Sequence, residues 1–438
     1  MKTLNLIGFD FGASSGRAML GQFDGERITI SEVHRFSNDP VKLNGRFTWD
    51  LPRFLYEMKQ ALLKVSHMNI HVDAIGIDTW GVDYGLLDKN DRLLGLPVNY
   101  RDDRTVGIRE KVREIVPDAE LFARTGIALN QFNTLYQLYA AHLEGDPTLE
   151  MAKELLFMPD LLAFLLTGKK GTEYTDASTS AMLNPVTRDW DRELLDKLGI
   201  PNAMLKTPEL PGKIRGTLLP EIAKECGVDE IPVIPVGGHD TASAVAAVPA
   251  KAGESFAYIS SGTWSLLGVE SDRPLTDETV LKAGYTNEGG VRGDIRLLKN
   301  IMGLWIIQEC KREWDRRSDA VGFAELVEMA KQAPAFKAMI DVDDERFLAP
   351  GDMPARIQQY CRETGQPVPE GRGEISRVIY EGLALKYRWA PCALRRLRAL
   401  CPADSRPALE SGHLSQPRSR HGCQYLRGHA ESKGSGTD

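Results

Sequence analysis

The pattern strand, Ser-Ser-Gly turn, strand occurs twice in this chain, at Ser14-Ser15-Gly16 and again at Ser260-Ser261-Gly262, and a duplicated hairpin points to two related domains. Apolar residues run from Leu4 to Phe11, break at Gly12-Ala13-Ser14-Ser15-Gly16, and resume from Ala18 to Phe23. Asp24-Gly25 then turns the chain into a further run, Arg27–Phe36, so the opening segment reads as strand, turn, strand, Asp-Gly hairpin, strand. Phe256–Ile259, the second Ser-Ser-Gly and Trp264–Val269 repeat its first part. Ala18-Met19-Leu20-Gly21 after the first turn is echoed by Ser265-Leu266-Leu267-Gly268 after the second, with one residue of slippage. Two related domains meeting near Val245 account for the echo. Two unrelated hairpins that converged on common turn residues also account for it.

Between the hairpins the periodicity changes. Phe54, Leu55, Met58, Leu62 and Val65 share one face of a helix starting at Pro52, which leads into a buried strand over Val72–Asp78. Helices are predicted over Thr134–Leu143 and Pro159–Leu166, the latter closed by Gly168. Ile231–Val236 reads as a short strand, Gly237-Gly238-His239-Asp240 as a turn, and Thr241–Val248 as a helix of small residues.

A length of 438 residues suits two or three domains, and 42% hydrophobic with 26% charged residues is a globular composition. The net charge of −7 argues against nucleic-acid and anionic-membrane partners and leaves small molecules. Leu4–Phe9 is too short for a signal peptide, and no apolar run approaches a membrane span. Cys226, Cys310 and Cys361 stand singly, without metal-binding spacing, so no disulfide or zinc site is expected and the reduced thiols suit the cytoplasm.

The stretch after Ala390 has a different character. From Pro391 to Asp438 there is no Ile, Val, Phe, Met or Trp, while Arg, Pro, Ser, Gly and His dominate and three of the six cysteines appear. Such a segment buries too little apolar surface to offset its chain entropy, so disorder is expected over 391–438. A natural flexible tail and an out-of-frame translation product both fit, and the abrupt switch inside the helical run Ile375–Trp389 favours the second.

Three segments combine residues that can do chemistry. The Gly12–Gly16 loop offers successive backbone N–H groups and two hydroxyls beside Arg17, a phosphate cradle or an ordinary hairpin turn. It leads into a strand and lacks the GxxxxGK[ST] pattern, so neither a P-loop NTPase nor a Rossmann dinucleotide fold is supported. Asp10, at the end of the first strand, suits Mg²⁺ held through water, or a cap on its own turn. Asp240 lies at a strand-to-helix turn, where it is either a base for an attacking hydroxyl or an N-cap bonded near Ser243; His239 beside it is equally open. Asp78-Thr79-Trp80-Gly81-Val82-Asp83 suits a neutral polyol, or is a core Trp with incidental acids.

Taken together, Gly8-Phe9-Asp10-Phe11-Gly12-Ala13-Ser14-Ser15-Gly16-Arg17, Asp78-Thr79-Trp80-Gly81-Val82-Asp83-Tyr84, Gly238-His239-Asp240-Thr241-Ala242-Ser243-Ala244, Ser260-Ser261-Gly262-Thr263-Trp264-Ser265 and Leu298-Lys299-Asn300-Ile301-Met302-Gly303-Leu304-Trp305 resemble the rhamnulokinases, within the FGGY carbohydrate kinases. The resemblance runs from about Asn5 to about Ala390. It implies an α/β fold of two duplicated actin-like ATPase (ribonuclease H-like) domains around a cleft: 1–245, then 246–390 with the C-terminal domain incomplete, then the tail 391–438. It implies ATP and Mg²⁺ as cofactors and L-rhamnulose as the sugar, phosphorylated at O1, in a monomer or weak homo-oligomer. Ala13, Ser14, Ser15, Gly16 and Arg17 would bind ATP phosphates, with Thr263 opposite and Gln308 at the nucleotide. Gly81, His239, Asp240, Thr241 and Asn300 would line the sugar site, Asp240 being the general base and Asp10 the metal residue. The Gly-Gly-Gly-Ser-Gln-Asn-like turn that embraces adenosine in this family has no counterpart, since no adjacent glycine pair follows Gly290. Weak ATP binding, marginal folding and loss of activity are the expected consequences.

Overall fold

A computed structural model describes residues 3–251, 256–317 and 320–399. The first hairpin forms as the pattern requires: β1 (Leu4–Phe11) and β2 (Ser15–Phe23) pair antiparallel, and β3 (Ile28–Ser37) extends them. Alternation puts Ile7, Phe9 and Phe11 of β1 into the core, together with Ala18 and Leu20 of β2. On its other side β1 is parallel to Ala74–Thr79, with Asp10 opposite Asp78 and Phe11 opposite Thr79. Two short strands, Pro232–Val233 and Gly216–Thr217, complete this six-stranded sheet.

The helix expected from Pro52 spans Leu51–His67, capped by Asp50, whose carboxylate accepts from Arg53 N–H. It lays Phe54, Met58, Leu62 and Val65 on the sheet. Helices Thr134–Glu144 and Met158–Thr167 match the expected pair, and Gly168 ends the second in the left-handed conformation at φ +67°. The strand expected over Ile231–Val236 is shorter than its apolar run. Only Val233 is registered against Ile75, and beyond it the chain peels away to form the Gly237-Gly238 turn.

The second hairpin, Tyr258–Ser261 with Trp264–Ser271, opens a four-stranded antiparallel sheet completed by Ile295–Met302 and Thr286–Gly289. Tyr258–Ser261 is its edge: among the described residues nothing pairs on the side where β1 of the first sheet meets its parallel neighbour. Helix Trp305–Arg316 and the long helix Gly371–Ala399 pack a second core containing Ile306, Cys310, Val378 and Ile379. The long helix runs across the expected boundary at Ala390. Its backbone stays helical to Ala399, through a Leu-, Arg- and Ala-rich stretch of good helix formers. The rest of the tail lies outside the described residues.

Candidate active site

A cleft of about 560 Å³ opens between the two sheets, at the carboxyl end of β1 and its parallel neighbour, where open α/β sheets bind ligands. Asp10, Ala13, Ser14, Ser15 and Arg17 line it from the first hairpin, and Thr263 from the turn of the second. Gly81, His239, Asp240, Thr241, Asn300 and Gln308 line it too. Of the residues given a site role by the resemblance, Gly16 alone is not among those lining the cleft. It takes the inward position of β2, and a Cβ there would lie 2.1 Å from Cζ of Phe36, so the glycine admits that ring.

The phosphate-cradle candidate is braced from within. Gly12 N–H donates to the Ser15 carbonyl (2.9 Å), and Asn38, nearly fully buried, donates through Nδ2 to the Gly12 carbonyl (2.8 Å). Across the cleft, the second turn is tied to a helix start: Leu304 N–H donates to Gly262 and Trp305 N–H to Thr263. Thr263 Oγ1 donates to Gln308 Oε1 at 3.3 Å. Asp10 does not cap its own turn. Its Oδ2 accepts from Arg17 Nε at 2.8 Å.

Asp240 is the first residue of helix Asp240–Ala246, with His239 at the N-cap, so the capping reading of its carboxylate fails. Asp240 Oδ1 accepts from Thr241 N (2.6 Å) and Thr241 Oγ1 (3.2 Å), and His239 Nε2 lies 3.5 Å from it. Among the described residues nothing hydrogen-bonds Oδ2, so one oxygen is held and the other is open. Burial raises the proton affinity of Asp240 above that of an ordinary carboxylate; the charge of His239 opposes this and that of Asp10 adds to it. The backbone below is pinned. Thr79 N–H donates to Gly238 O (2.8 Å), Gly238 N–H to Glu173 Oε2 (3.0 Å), and His239 N–H to Thr175 Oγ1 (3.2 Å). A Cβ on Gly238 would meet Glu173 Oε2 at 2.7 Å, which is why glycine stands there.

The polyol segment joins both readings made of it. Trp80 is buried, with its ring centroid 4.0 Å from that of Trp49, and it still lines the cleft. Val82 holds φ +71°, an unfavourable region for a β-branched residue, fixed by Thr179 Oγ1 accepting from its N–H and Thr134 Oγ1 donating to its carbonyl.

Glu288 and Arg296 were not legible as functional candidates in the sequence, and Asp78 was legible only as part of the polyol segment. Asp78 sits beside Asp10 in the parallel register, and burial, then the charges of Asp10 and Asp240, push its carboxyl well above the usual range. Glu288 and Arg296, opposite each other on paired strands, surround His239 from the second sheet. Strand register between such distant segments was the missing signal.

Among the described residues no three His, Cys, Asp or Glu side chains gather closely enough to hold a metal alone. Adjacent Asp10 and Asp78 fit a magnesium ion that keeps most of its water and arrives with phosphate oxygens.

Glu173, buried under the site, is pushed up to about 7 by burial first, and Asp160 beside it to about 6 by the same cause. Both folded-state values exceed the unfolded ones, so their stabilising contribution is full below the ordinary carboxylate range and is lost as pH rises through about 6 to 7. The expected result is a higher Tm near pH ~5.5 than near pH ~8 by scanning fluorimetry, with Glu173→Gln flattening the slope. An unchanged slope in the variant counts against this.

Comparison with known proteins matches this geometry. Residues 5–247 match the N-terminal domain of the FGGY family of carbohydrate kinases, and residues 257–412 its C-terminal domain. A rhamnulokinase from Bacteroides thetaiotaomicron is 44% identical over 91% of this chain and 80% of its own length. One from Halalkalibacterium halodurans is 44% identical over 87% of this chain and 80% of its own. Among solved structures, xylulose kinase from Lactobacillus acidophilus superposes with a TM-score of 0.70 at 18% identity, over 89% of this chain and 78% of that one. Glycerol kinase from Plasmodium falciparum gives 0.65 at 14%, over 90% and 79%. The fold is thus the duplicated actin-like one, and the chain belongs to the FGGY family of carbohydrate kinases.

Proposed function

We propose that this chain transfers the γ-phosphoryl group of ATP to O1 of L-rhamnulose, giving L-rhamnulose 1-phosphate and ADP in L-rhamnose catabolism. The observation that carries the reading is the open Oδ2 of Asp240, on a carboxylate held at Oδ1, in a cleft lined by both hairpin turns. Asp240 takes the proton of the O1 hydroxyl as the O1–phosphorus bond forms and the bond from phosphorus to the ADP oxygen breaks. The Gly12–Gly16 loop and Arg17 steady the phosphates, with Thr263 opposite and Gln308 at the nucleotide. Gly81, His239, Thr241 and Asn300 hold the sugar. Magnesium, when bound with ATP at Asp10 and Asp78, supplies neutralisation of phosphate charge. Closure of the two domains excludes water, the competing nucleophile.

The curated relatives support the sugar assignment, since those named above are rhamnulokinases. ADP formation by the purified chain, compared across L-rhamnulose, L-fuculose and L-xylulose, is the test. The expected result is the highest kcat/KM with L-rhamnulose, because one missing hydroxyl contact changes selectivity by orders of magnitude. Preference for another ketose overturns the sugar assignment, and no ADP formation with any overturns the activity.

Residues 391–438 lack an adjacent glycine pair. The expected defect therefore falls on the KM for ATP, raised about tenfold or more, as loss of one or two good contacts would do, with the sugar KM spared. An ATP KM in the ordinary micromolar-to-millimolar range contradicts this. We place the chain in the cytoplasm as a monomer or weak homo-oligomer. Free, buried Cys226, Cys310 and Cys361 support that compartment, and among the described residues no helix is long and apolar enough to cross a membrane.

A further inference from the structure

Among the described residues Arg296 is the largest fully buried charged side chain, 1% exposed. It stands on strand Ile295–Met302, directly opposite Glu288 on Thr286–Gly289, and the strand later contributes Asn300 to the cleft. Its Nε donates to the Gly289 carbonyl at 2.9 Å, and one Nη lies 3.1 Å from Nδ1 of His239, within hydrogen-bond reach. Glu288 Oε2 lies 3.2 Å from the same Nδ1 and 3.2 Å from the same Nη. Burying a guanidinium is costly unless its position serves something, and this one reaches from the second sheet to the residue that precedes Asp240.

We infer that Arg296 is a positioning residue that fixes the tautomer of His239, and through it the base Asp240. This rests on the reading of Asp240 as the base. Arginine can only donate, so the Nδ1 it meets is an acceptor, and the neutral imidazole carries its proton on Nε2. That proton sits on the nitrogen 3.5 Å from Asp240 Oδ1, where its partial positive charge favours the ionised carboxylate on the side already held by Thr241 and leaves Oδ2 for the sugar hydroxyl. Glu288 favours the opposite tautomer, because its carboxylate, 3.2 Å from the same nitrogen, accepts an Nδ1 proton. That tautomer turns the Nε2 lone pair on the carboxylate of Asp240, and lone pair faces anion. Arg296 decides between the two.

The test uses the full-length chain uniformly labelled with [15N]histidine at about pH 8, above the ordinary histidine range. The ring signal that disappears in His239→Asn identifies His239 in long-range ¹H–¹⁵N spectra. The expected wild-type pattern is an unprotonated Nδ1 and a protonated Nε2; a protonated Nδ1 overturns the inference without any variant. In Arg296→Met, Nδ1 gains a proton and kcat falls about 10–100-fold, the range seen when an orienting partner is lost, while the sugar KM stays within about threefold. Arg296→Lys, which still donates, restores the wild-type pattern and most of kcat. A purely structural arginine gives the other outcome, an unaltered ring pattern in Arg296→Met with losses in KM and stability alone. If the wild-type chain phosphorylates no sugar, the proposed reaction fails, and the wild-type ring pattern still decides the tautomer.

Discussion

Asp240→Asn is expected to lower kcat for L-rhamnulose phosphorylation by about 10²–10⁴-fold, the usual contribution of a general base, while the sugar KM changes by less than about threefold. The substitution keeps shape. An asparagine carbonyl still accepts from Thr241 N and Thr241 Oγ1, as Oδ1 does now, so the turn has no reason to move. What disappears is the basic oxygen at the Oδ2 position. Steady-state kinetics with ADP readout checks this, and a variant within about fivefold of wild-type kcat rules Asp240 out as the base. The pH profile carries the same claim. Because burial and the charge of Asp10 raise the proton affinity of Asp240, the wild-type rate falls on acidification at a pH above the ordinary aspartate range. The base works ionised, so activity is lost as pH drops through that raised value, and the residual activity of the variant lacks this limb.

The parts of the site legible in the sequence are those where chemistry and local geometry coincide. The Gly12–Gly16 turn, the Gly238-His239-Asp240 turn and the Ser260-Ser261-Gly262 turn each announce themselves by composition, and all three meet at the cleft. Helix Leu51–His67 was legible because its apolar face repeats over several turns. Gly16 shows the limit of reading a turn as a unit. Strand alternation begins inside the motif, so Arg17 faces the cleft while Gly16 faces Phe36. The pairing of Asp78 with Asp10, and of Glu288 and Arg296 around His239, depends on which strands become neighbours and in what register. Neither is encoded within a window of a few residues. The shortening of Ile231–Val236 to Pro232–Val233 has the same origin, since apolar content permits a strand and only a neighbour in register makes one.

Removing the carboxylate of Asp83 is expected to be strongly destabilising. The residue is fully buried, and its two oxygens collect four donors: Trp49 Nε1 at 2.6 Å, Trp80 Nε1 at 3.0 Å and Tyr100 N at 3.1 Å on Oδ2, with Gln137 Nε2 at 3.0 Å on Oδ1. Burial nevertheless pushes its pKa up to about 6, so desolvation outweighs even these four bonds in setting its ionisation. Asp83→Ala leaves two indoles, a backbone amide and a carboxamide facing one small void. Each buried donor without an acceptor costs about 1–3 kcal/mol, and a water entering the void recovers part of that, so a net loss of about 3–5 kcal/mol is expected. Asp83→Asn keeps an acceptor for the three donors on Oδ2. It sets its own amide against Gln137, whose Oε1 is already occupied by Arg104 Nη2, and the expected loss is about 1–2 kcal/mol. Urea unfolding of the three proteins gives the ordering directly, and an alanine variant within about 1 kcal/mol of wild type refutes it. The loss reaches function through the same bonds. Trp80 and Tyr100 line the cleft with the Gly81-Val82 turn. Freed from Asp83, both lose the contact that orients them, so the sugar KM rises in Asp83→Ala while the Asp240-dependent limb of the pH profile persists.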